Sequence, residues 1–184
     1  MSLPKAVCVF CGARNFVNKE YIDIANRFGA QLAEKNVELV YGGGDCGLMG
    51  AVANGSLKAG GRVIGVFPDD LKNLEVEHKG LSEIYFVRSM HERKKKMFDL
   101  SDAFVILPGG FGTMDETFEI ITWKQLRMHA KPIVMYNHNG YWNPWVQLTE
   151  NIIGQGFASE EARGLYTVVD NFGDLLEATR QLEP

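Results

Sequence analysis

Short apolar runs alternate with helix-like stretches along almost the whole chain. Seven runs have the length and bounds of buried strands: residues 5–12, 37–41, 62–67, 84–87, 103–107, 133–136 and 166–169. Helices are predicted over residues 19–35, 47–59, 89–100, 113–128, 142–154 and 172–182, and a loop or short helix over 69–82. Strands that alternate with helices form a parallel sheet covered on both faces. With right-handed crossovers, the pattern predicts an α/β fold: a Rossmann-like, doubly wound parallel sheet with helices on both faces.

Length and composition fit one globular domain. The chain has 184 residues, of which 46% are hydrophobic and 23% charged, enough for a full core. A net charge of −4 argues against broad binding to nucleic acid or anionic membranes. No apolar run approaches the roughly 18 residues of a membrane span, and no secretory signal is evident. We therefore expect a single nucleotide-binding domain over residues 1–184, cytoplasmic, without nucleic-acid or membrane partners.

The three cysteines do not indicate redox or zinc chemistry. Cys8 and Cys11 form a C-x-x-C pair, but they lie in AVCVFCG, which predicts a buried strand. A redox pair belongs at a helix N-terminus, where the helix dipole lowers the pKa of a thiol. Cys46 leaves an odd count without a second cluster, so no zinc ligand set is evident. We expect small buried residues and no metal site.

The first of two glycine-rich turns is GGGDCG, residues 42–47, between a strand and a helix. It matches G-x-G-x-x-G, and Asp69 lies 22 residues beyond Gly47, so a dinucleotide site with the acid on a ribose is one interpretation. A second is that the turn lines a smaller nucleotide pocket. A third is structural: Gly47 and Gly50 allow close packing of strand and helix. All three remain open at this point.

The second turn lies in LSDAFVILPGGFGTMDETFE, residues 100–119, where Pro108 ends a strand. Its glycines let the backbone approach a ligand and adopt positive φ, and Thr113 fits an N-cap or first-turn position. Free N–H groups and the positive end of the helix dipole suit a phosphate. No Gly-Lys-Ser/Thr follows, which excludes a Walker loop. The predicted anion-binding residues are Gly109, Gly110, Gly112 and Thr113.

Charged side chains flank this second turn. Glu116 lies about one turn inside the helix, and Glu119 follows on the same face. Acids there ordinarily stabilise the helix dipole, by about 0.3–1 kcal/mol each. Beside an anion loop, however, a carboxylate opposes anion binding, so Glu116 suggests chemistry on a ribose. Upstream, Arg93 can hold a phosphate or carboxylate by two parallel hydrogen bonds, whereas residues 94–96 (KKK) predict a solvated helix face.

These motifs resemble the LONELY GUY family of phosphoribohydrolases, long labelled lysine decarboxylase-like. The resemblance runs nearly end to end, through VFCG (9–12), LVYGGGDCGLMG (39–50), EHKGLSEI (77–84), MHERK (90–94), PGGFGTMDE (108–116) and GYWN (140–143). It implies hydrolysis of the N-glycosidic bond of cytokinin riboside 5′-monophosphates, giving free base and ribose 5-phosphate. It also implies a Rossmann-like fold and a homodimer.

The resemblance assigns roles to particular residues. Arg93 and Glu116 would be the catalytic pair, and the glycines and threonine of the second turn would hold the 5′-phosphate. Gly43, Gly44, Met90 and Glu119 would line the substrate pocket. One departure concerns residues 13–16 (ARNF), where the family usually carries a small Ser-Ser-x-Gly run; it bears on the choice of substrate rather than on the reaction.

No cofactor is expected. A pyridoxal phosphate enzyme needs a lysine for the Schiff base, and Glu92 follows Ser89-Met90-His91 where the familiar decarboxylase tetrapeptide has lysine. Two alternatives to hydrolysis stay open. One is a protein that binds AMP or another purine nucleotide without turnover. The other is an NAD(P)-dependent oxidoreductase, against which stand the absence of a Tyr-x-x-x-Lys pair and the little room for a substrate domain.

Overall fold

The computed structural model describes residues 2–71 and 76–180, and its strands form one parallel sheet. The strands are β1 (Ala6–Phe10), β2 (Glu38–Tyr41), β3 (Val63–Pro68), β4 (Glu83–Val87), β5 (Ala103–Ile106), β6 (Ile133–Tyr136) and β7 (Thr167–Val169). They lie in the order β4-β3-β2-β1-β5-β6-β7, and every pairing is parallel. The predicted Rossmann-like, doubly wound α/β fold is confirmed.

Helices connect the strands at the predicted places. They are α1 (Lys19–Glu34), α2 (Gly47–Lys58), α3 (Met90–Asp99), α4 (Phe111–Gln125), α5 (Asn143–Gly154) and α6 (Phe172–Glu177). Single 3-10 turns occupy Asp69–Leu71, His138–Gly140 and Glu160–Gly164. In the described parts of the chain, no helix has the length and apolar character needed to cross a membrane.

Two helices, α4 and α6, differ most from the sequence predictions in their bounds. Helix α4 begins at Phe111 rather than at residue 113, because Gly110 is its N-cap and the Gly110 carbonyl accepts from the Met114 N–H. Helix α6 ends at Glu177, five residues before the predicted end at 182; residues 181 and 182 lie outside the described residues. In the segment 69–82, predicted as a loop or short helix, residues 72–75 also lie outside the described residues.

The sheet separates two apolar cores. Helices α1, α2 and α6 cover one face, with Phe28, Leu32 and Val52 among their fully buried side chains. Helices α3, α4 and α5 cover the other, with Met97 and Trp145 packed against the strands. Strand residues alternate between the two cores, as successive side chains of a strand must. Because both faces are covered, the strands appear in the sequence as nearly continuous apolar runs.

The carboxyl ends of β1 and β5 mark the topological switch point. From β1 the chain builds outward through β2, β3 and β4, then returns to place β5 on the other side of β1. Phe10 pairs with Ile106 at the ends of these two strands. Connections that leave neighbouring strands in opposite directions open a crevice there, which is where ligands of such sheets bind.

Candidate active site

A cavity of about 540 Å³ opens at the switch point. Its lining comes from the segments after β1 and β5, from α3, from the start of α2, and from Val17, Tyr21 and Tyr141. The lining residues on which the site depends are Cys11, Gly12, Ala13, Arg14, Met90, Arg93, Pro108, Gly109, Gly110, Gly112, Thr113, Glu116 and Tyr141. The structure therefore places the predicted catalytic pair, Met90 and all four predicted anion-binding residues around one space.

We call residues 108–113 the phosphate loop, after the ligand that the sequence predicts for it. Gly110 is the N-cap of α4, so the first amides of that helix have no acceptor within the helix. Apart from its chain neighbours and, at Gly112, the backbone of α4 itself, a Cβ added at Gly110 or Gly112 would meet no described heavy atom within 4 Å. The predicted positive φ is wrong: Gly110 has φ −103°, and neither Gly109 nor Gly112 is left-handed. Gly110 and Gly112 leave room beside the cavity rather than turn the backbone.

Two contacts fix the backbone of the phosphate loop. The Gly12 N–H donates to the Pro108 carbonyl at 3.0 Å, and the Tyr141 hydroxyl donates to the Gly109 carbonyl at 2.6 Å. Gly109 must be a glycine because a Cβ there would overlap the side chain of Thr113. Thr113 is the third residue of α4 and is buried, so it takes the first-turn position of the two that the sequence allowed. The loop is thus held by Gly12, which follows β1, and by Tyr141 in the segment before α5.

Arg93 lies buried at the carboxyl edge of the sheet, with 6% of its surface exposed. Its Nε donates to the Val66 carbonyl at 3.2 Å and its Nη2 to the Gly42 carbonyl at 2.9 Å. A Cβ at Gly42 would overlap Nη2, so this glycine makes room for the guanidinium. Backbone carbonyls of β3 and of the first turn thereby hold a permanent positive charge at the cavity wall, since an arginine does not lose its proton in proteins.

Glu116 lines the cavity on the second turn of α4. Its charge and that of Arg93 both act on the Cys11 thiol. Burial is the main cause that raises the pKa of Cys11, the Glu116 carboxylate raises it further, and Arg93 opposes both. Burial likewise raises the pKa of Cys8. The expectation that these two cysteines are small buried residues is confirmed, and their thiols stay protonated near neutral pH.

Three residues predicted for the substrate pocket lie outside the cavity lining. Gly43 has φ +79° and accepts from the N–H of His78 at 2.9 Å, and Gly44 forms an isolated antiparallel bridge with Glu77. Glu119 forms an ion pair with Lys94 at 3.1 Å. Their place in the substrate pocket remains a prediction, while the contacts shown here are structural.

The dinucleotide interpretation of the first turn gains no structural support. Asp69 begins a 3-10 turn after β3 and lies outside the cavity lining. The turn is instead covered by a short strap, residues 76–80, in which His78 is buried and only 8% exposed. The Gly80 N–H donates to His78 Nδ1 at 3.0 Å, and His78 Nε2 lies 3.3 Å from the Asn54 side-chain oxygen.

Lys94 corrects the prediction of a uniformly solvated lysine face on α3. Its side chain is only 12% exposed and forms ion pairs with Asp115 at 3.2 Å and Glu119 at 3.1 Å. Burial opposes its charge, but these two carboxylates outweigh burial and raise the pKa of Lys94. Lys94 therefore links α3 to α4. Lys95, in contrast, forms an exposed pair with Asp99 one turn further along α3.

Residues 13–16 (ARNF) form one edge of the cavity. Ala13 and Arg14 line it, and the Asn15 side chain accepts from the Gly47 N–H at 2.8 Å at the start of α2. Phe16 is fully exposed. The segment thus places an arginine at the cavity where the resembled family pattern carries a small polar residue. Within residues 2–71 and 76–180, no cluster of three or more His, Cys, Asp or Glu side chains could hold a metal ion.

Comparison with known proteins assigns the family. A family model described as "Possible lysine decarboxylase" matches residues 49–179. A probable cytokinin riboside 5′-monophosphate phosphoribohydrolase of Oryza sativa subsp. japonica is 42% identical over 172 residues, 94% of this chain and 75% of the relative. The chain belongs to the LONELY GUY family. A cytokinin riboside 5′-monophosphate phosphoribohydrolase of Rhodococcoides fascians is 40% identical over 96% of this chain and 90% of its own length.

Solved structures share the fold with more distant sequences. A molybdenum cofactor binding protein of Rippkaea orientalis superposes with a TM-score of 0.71 at 18% identity, covering 96% of this chain and 95% of that one. The molybdenum cofactor carrier protein of Chlamydomonas reinhardtii gives 0.69 at 19% identity, covering 94% of each chain. At such identities the likeness shows the fold alone.

Sequence reasoning missed three residues of this LONELY GUY site. Gly12 and Tyr141 lie inside quoted family motifs, but nothing in the sequence shows that they hold the phosphate loop. The sequence gives no reason to separate Gly42 from the other glycines of its turn, although its lack of a side chain is what makes room for Arg93. All three act through contacts between residues far apart in the chain, for which the sequence alone gives no signal.

Proposed function

We propose that this chain is a hydrolase that cleaves the N-glycosidic bond of a purine riboside 5′-monophosphate of the cytokinin type. The products are the free base and ribose 5-phosphate. The observation that carries the proposal is the cavity that joins a glycine-lined helix N-terminus to Glu116 and to the buried Arg93. The relatives' names, at about 40% identity across the chain, support the same reaction. We also propose that it works as a single-domain homodimer in the cytoplasm, without a cofactor.

The 5′-phosphate binds the phosphate loop. The amides at the start of α4 supply donors, and the helix dipole favours an anion there. Open space beside Gly110 and Gly112 lets the phosphate oxygens approach the backbone. Binding of this remote group fixes C1′ of the ribose, which converts binding energy into orientation at the reacting bond.

Glu116 acts at C1′. As the bond from C1′ to the base nitrogen breaks, its electron pair leaves with the base and positive charge builds on the ribose. An ionised carboxylate beside C1′ stabilises that charge, and it either assists the attacking water or forms a covalent intermediate. Water supplies the hydroxyl of ribose 5-phosphate, and the base takes up a proton.

Arg93 orients this chemistry from a fixed position. Two of its donors are engaged by the carbonyls of Val66 and Gly42, so the guanidinium cannot swing into solvent without breaking both bonds. Its charge favours the ionised form of a neighbouring carboxylate and attracts an anionic substrate. Preorganised charge of this kind costs no rearrangement during the reaction.

The lining of the cavity favours hydrolysis over pyridoxal phosphate chemistry. The described residues that line it include arginines and carboxylates but no lysine, and a Schiff base requires a lysine amine. Lys94, the lysine nearest in sequence to Arg93, is engaged by Asp115 and Glu119.

Chromatography of reaction mixtures tests the proposal. The purified protein is incubated with AMP and, separately, with isopentenyladenosine 5′-monophosphate, with the matching nucleosides as controls. Free base from a monophosphate, with none from its nucleoside, establishes the reaction and the need for the phosphate. The faster nucleotide shows whether the prenyl group is recognised. No base from either nucleotide contradicts hydrolysis and favours a nucleotide-binding protein.

A further inference from the structure

We propose that Tyr141 is a positioning residue for the phosphate loop, a role that rests on the function proposed above. Its hydroxyl donates to the Gly109 carbonyl at 2.6 Å, immediately before the N-cap of α4. The residue reaches the loop from the segment before α5, 32 positions away in the chain. It acts through the backbone of the loop and not on the reacting bond.

The hydrogen bond sets the orientation of one peptide group. In a trans peptide the carbonyl and the following N–H point in opposite directions, and the described chain contains no cis peptide. With the Gly109 carbonyl directed at Tyr141, the Gly110 N–H points away from Tyr141. The Pro108 carbonyl is held in the same way by the Gly12 N–H at 3.0 Å. Two successive peptides of the loop are therefore oriented before a ligand arrives.

The same bond reduces repulsion of an anion. A carbonyl oxygen carries partial negative charge, and Gly109 lines the cavity in which the phosphate binds. A donor on that oxygen occupies one of its two lone pairs and offsets part of its charge. Without the hydroxyl, the peptide is free to rotate its carbonyl toward the phosphate, where the two groups repel each other. The loss falls on phosphate affinity rather than on the stability of the fold.

Packing holds the Tyr141 ring in place independently of its hydroxyl. The ring meets Tyr21 edge-on at 5.6 Å and Trp142 at 4.9 Å between centroids. Trp142 is buried, and its backbone N–H donates to the Asn137 side-chain oxygen at 2.7 Å. Burial, with Tyr21 adding to it, raises the pKa of Tyr141 above its ordinary value, although the bond to Gly109 opposes this. The hydroxyl therefore remains a donor throughout the neutral range.

The test is Tyr141→Phe, which removes the hydroxyl and keeps the ring. Calorimetric titration with ribose 5-phosphate, and with inorganic phosphate, measures the affinity of the loop directly. We expect the dissociation constant for ribose 5-phosphate to rise about 3- to 10-fold, the worth of one hydrogen bond. In turnover, KM for the nucleotide rises by a similar factor while kcat changes less.

Tyr166→Phe is the matched control. It removes a tyrosine hydroxyl that lies 2.8 Å from the Thr149 hydroxyl, away from the cavity, and should leave phosphate affinity unchanged. Equal affinity in Tyr141→Phe and in the unaltered protein would overturn the inference while the proposed function stands. A fall in kcat with unchanged KM would also overturn it, because the hydroxyl would then act on the chemistry. If the unaltered protein binds neither probe, the phosphate site itself is wrong and the inference fails with it.

Discussion

The two glycine-rich turns follow strands of the same sheet, but Gly42 and Gly47 of the first have different surroundings from Gly110 and Gly112 of the second. In the first turn, residues 42–47, the glycines meet protein: a Cβ at Gly42 would overlap Arg93, and one at Gly47 would lie 2.7 Å from the backbone of Ala13. In the phosphate loop, a Cβ at Gly110 or Gly112 would point into space that no described atom occupies.

This difference separates a structural glycine from one that leaves room for a ligand. The first turn matches a dinucleotide motif letter by letter, yet Gly43 and Gly47 are left-handed and closely packed. The phosphate loop matches no Walker pattern, yet it borders the cavity. The spacing of glycines is therefore a weaker guide than what lies opposite their missing side chains. Substitution of a closely packed glycine such as Gly47 in the first turn should mainly lower stability, whereas substitution of Gly112 in the phosphate loop should mainly lower activity.

The largest expected effect lies just beyond the phosphate loop. Glu116→Gln keeps the shape of the side chain but removes the negative charge proposed to face C1′. We expect kcat to fall about 100-fold or more, with an unchanged melting temperature. Steady-state kinetics and thermal denaturation measure the two quantities. Full activity in this variant would end the assignment of Glu116.

Glu119→Gln is the comparison for that variant. Glu119 sits one turn further on α4 and pairs with Lys94 outside the cavity lining. The structure predicts a much smaller loss of activity than for Glu116→Gln. A loss as large as that of Glu116→Gln would instead support the sequence prediction that Glu119 belongs to the substrate pocket.

Gly42→Ala tests whether the first turn acts on the cavity through the position of Arg93. The added methyl group occupies the position of Arg93 Nη2, so the guanidinium must move and lose its bond to the Gly42 carbonyl. We expect kcat/KM to fall about 10- to 100-fold, because misplacement of a positioned group by about 1 Å costs on that order. The far end of a flexible arginine can yield, so the protein should stay folded by circular dichroism. Unchanged activity would show that Arg93 does not need this position.

Gly47→Ala should mainly lower stability, whereas Gly112→Ala should mainly weaken nucleotide binding. At Gly47 the φ is +58° and backbone lies close, so we expect the free energy of unfolding to fall by about 2–4 kcal/mol. At Gly112, inside α4, alanine should leave that free energy unchanged or raise it by up to about 1 kcal/mol. Its methyl group enters the phosphate space, so nucleotide KM should rise about tenfold. Urea denaturation and steady-state kinetics on both variants measure the comparison; equal stability losses would contradict it.

The fold could be predicted because each strand and helix carries its own pattern. Apolar runs such as residues 103–107 are buried on both faces of the sheet, and glycine and proline mark where they end. The meeting of Arg93 and Glu116 at one cavity also follows from topology, since α3 and α4 flank the switch strand β5. Local patterns and the rule for parallel sheets suffice for both.

The finer contacts could not be predicted, because each depends on packing between distant segments. Arg93 and Gly42 are 51 residues apart. Lys94 differs from the exposed Lys95 because Asp115 and Glu119 of α4 lie opposite Lys94. The glycines of the phosphate loop do not need positive φ because α4 begins at Phe111, with Gly110 as its N-cap, and the sequence does not fix that start. In each case the sequence identifies the residue that matters, but its contacts depend on the tertiary structure.

The smallest expected effect is a pH dependence of stability that arises at His129, away from both turns. It matters for the comparison because variants of the two turns must be measured at a pH where this effect is the same. His129 precedes β6, at the opposite edge of the sheet, where the Lys131 N–H donates to its Nδ1 at 3.1 Å. Its Nε2 lies 2.8 Å from the Ile120 carbonyl, which the neutral ring satisfies as a donor. Burial lowers the pKa of His129, and Lys124 and Lys131 act in the same direction, although the Ile120 carbonyl opposes them.

The sign of the resulting pH dependence follows from linkage. Since the pKa of His129 is lower in the folded chain than in the unfolded chain, where it is about 6.5, the unfolded chain takes up the proton first as the pH falls. The free energy of unfolding therefore decreases below pH ~6.5 until the folded chain is protonated too. Urea denaturation at several pH values should show a smaller decrease in His129→Gln than in the unaltered protein. An identical decrease would assign the effect to other groups, and the variants of both turns would then have to be compared at a single pH.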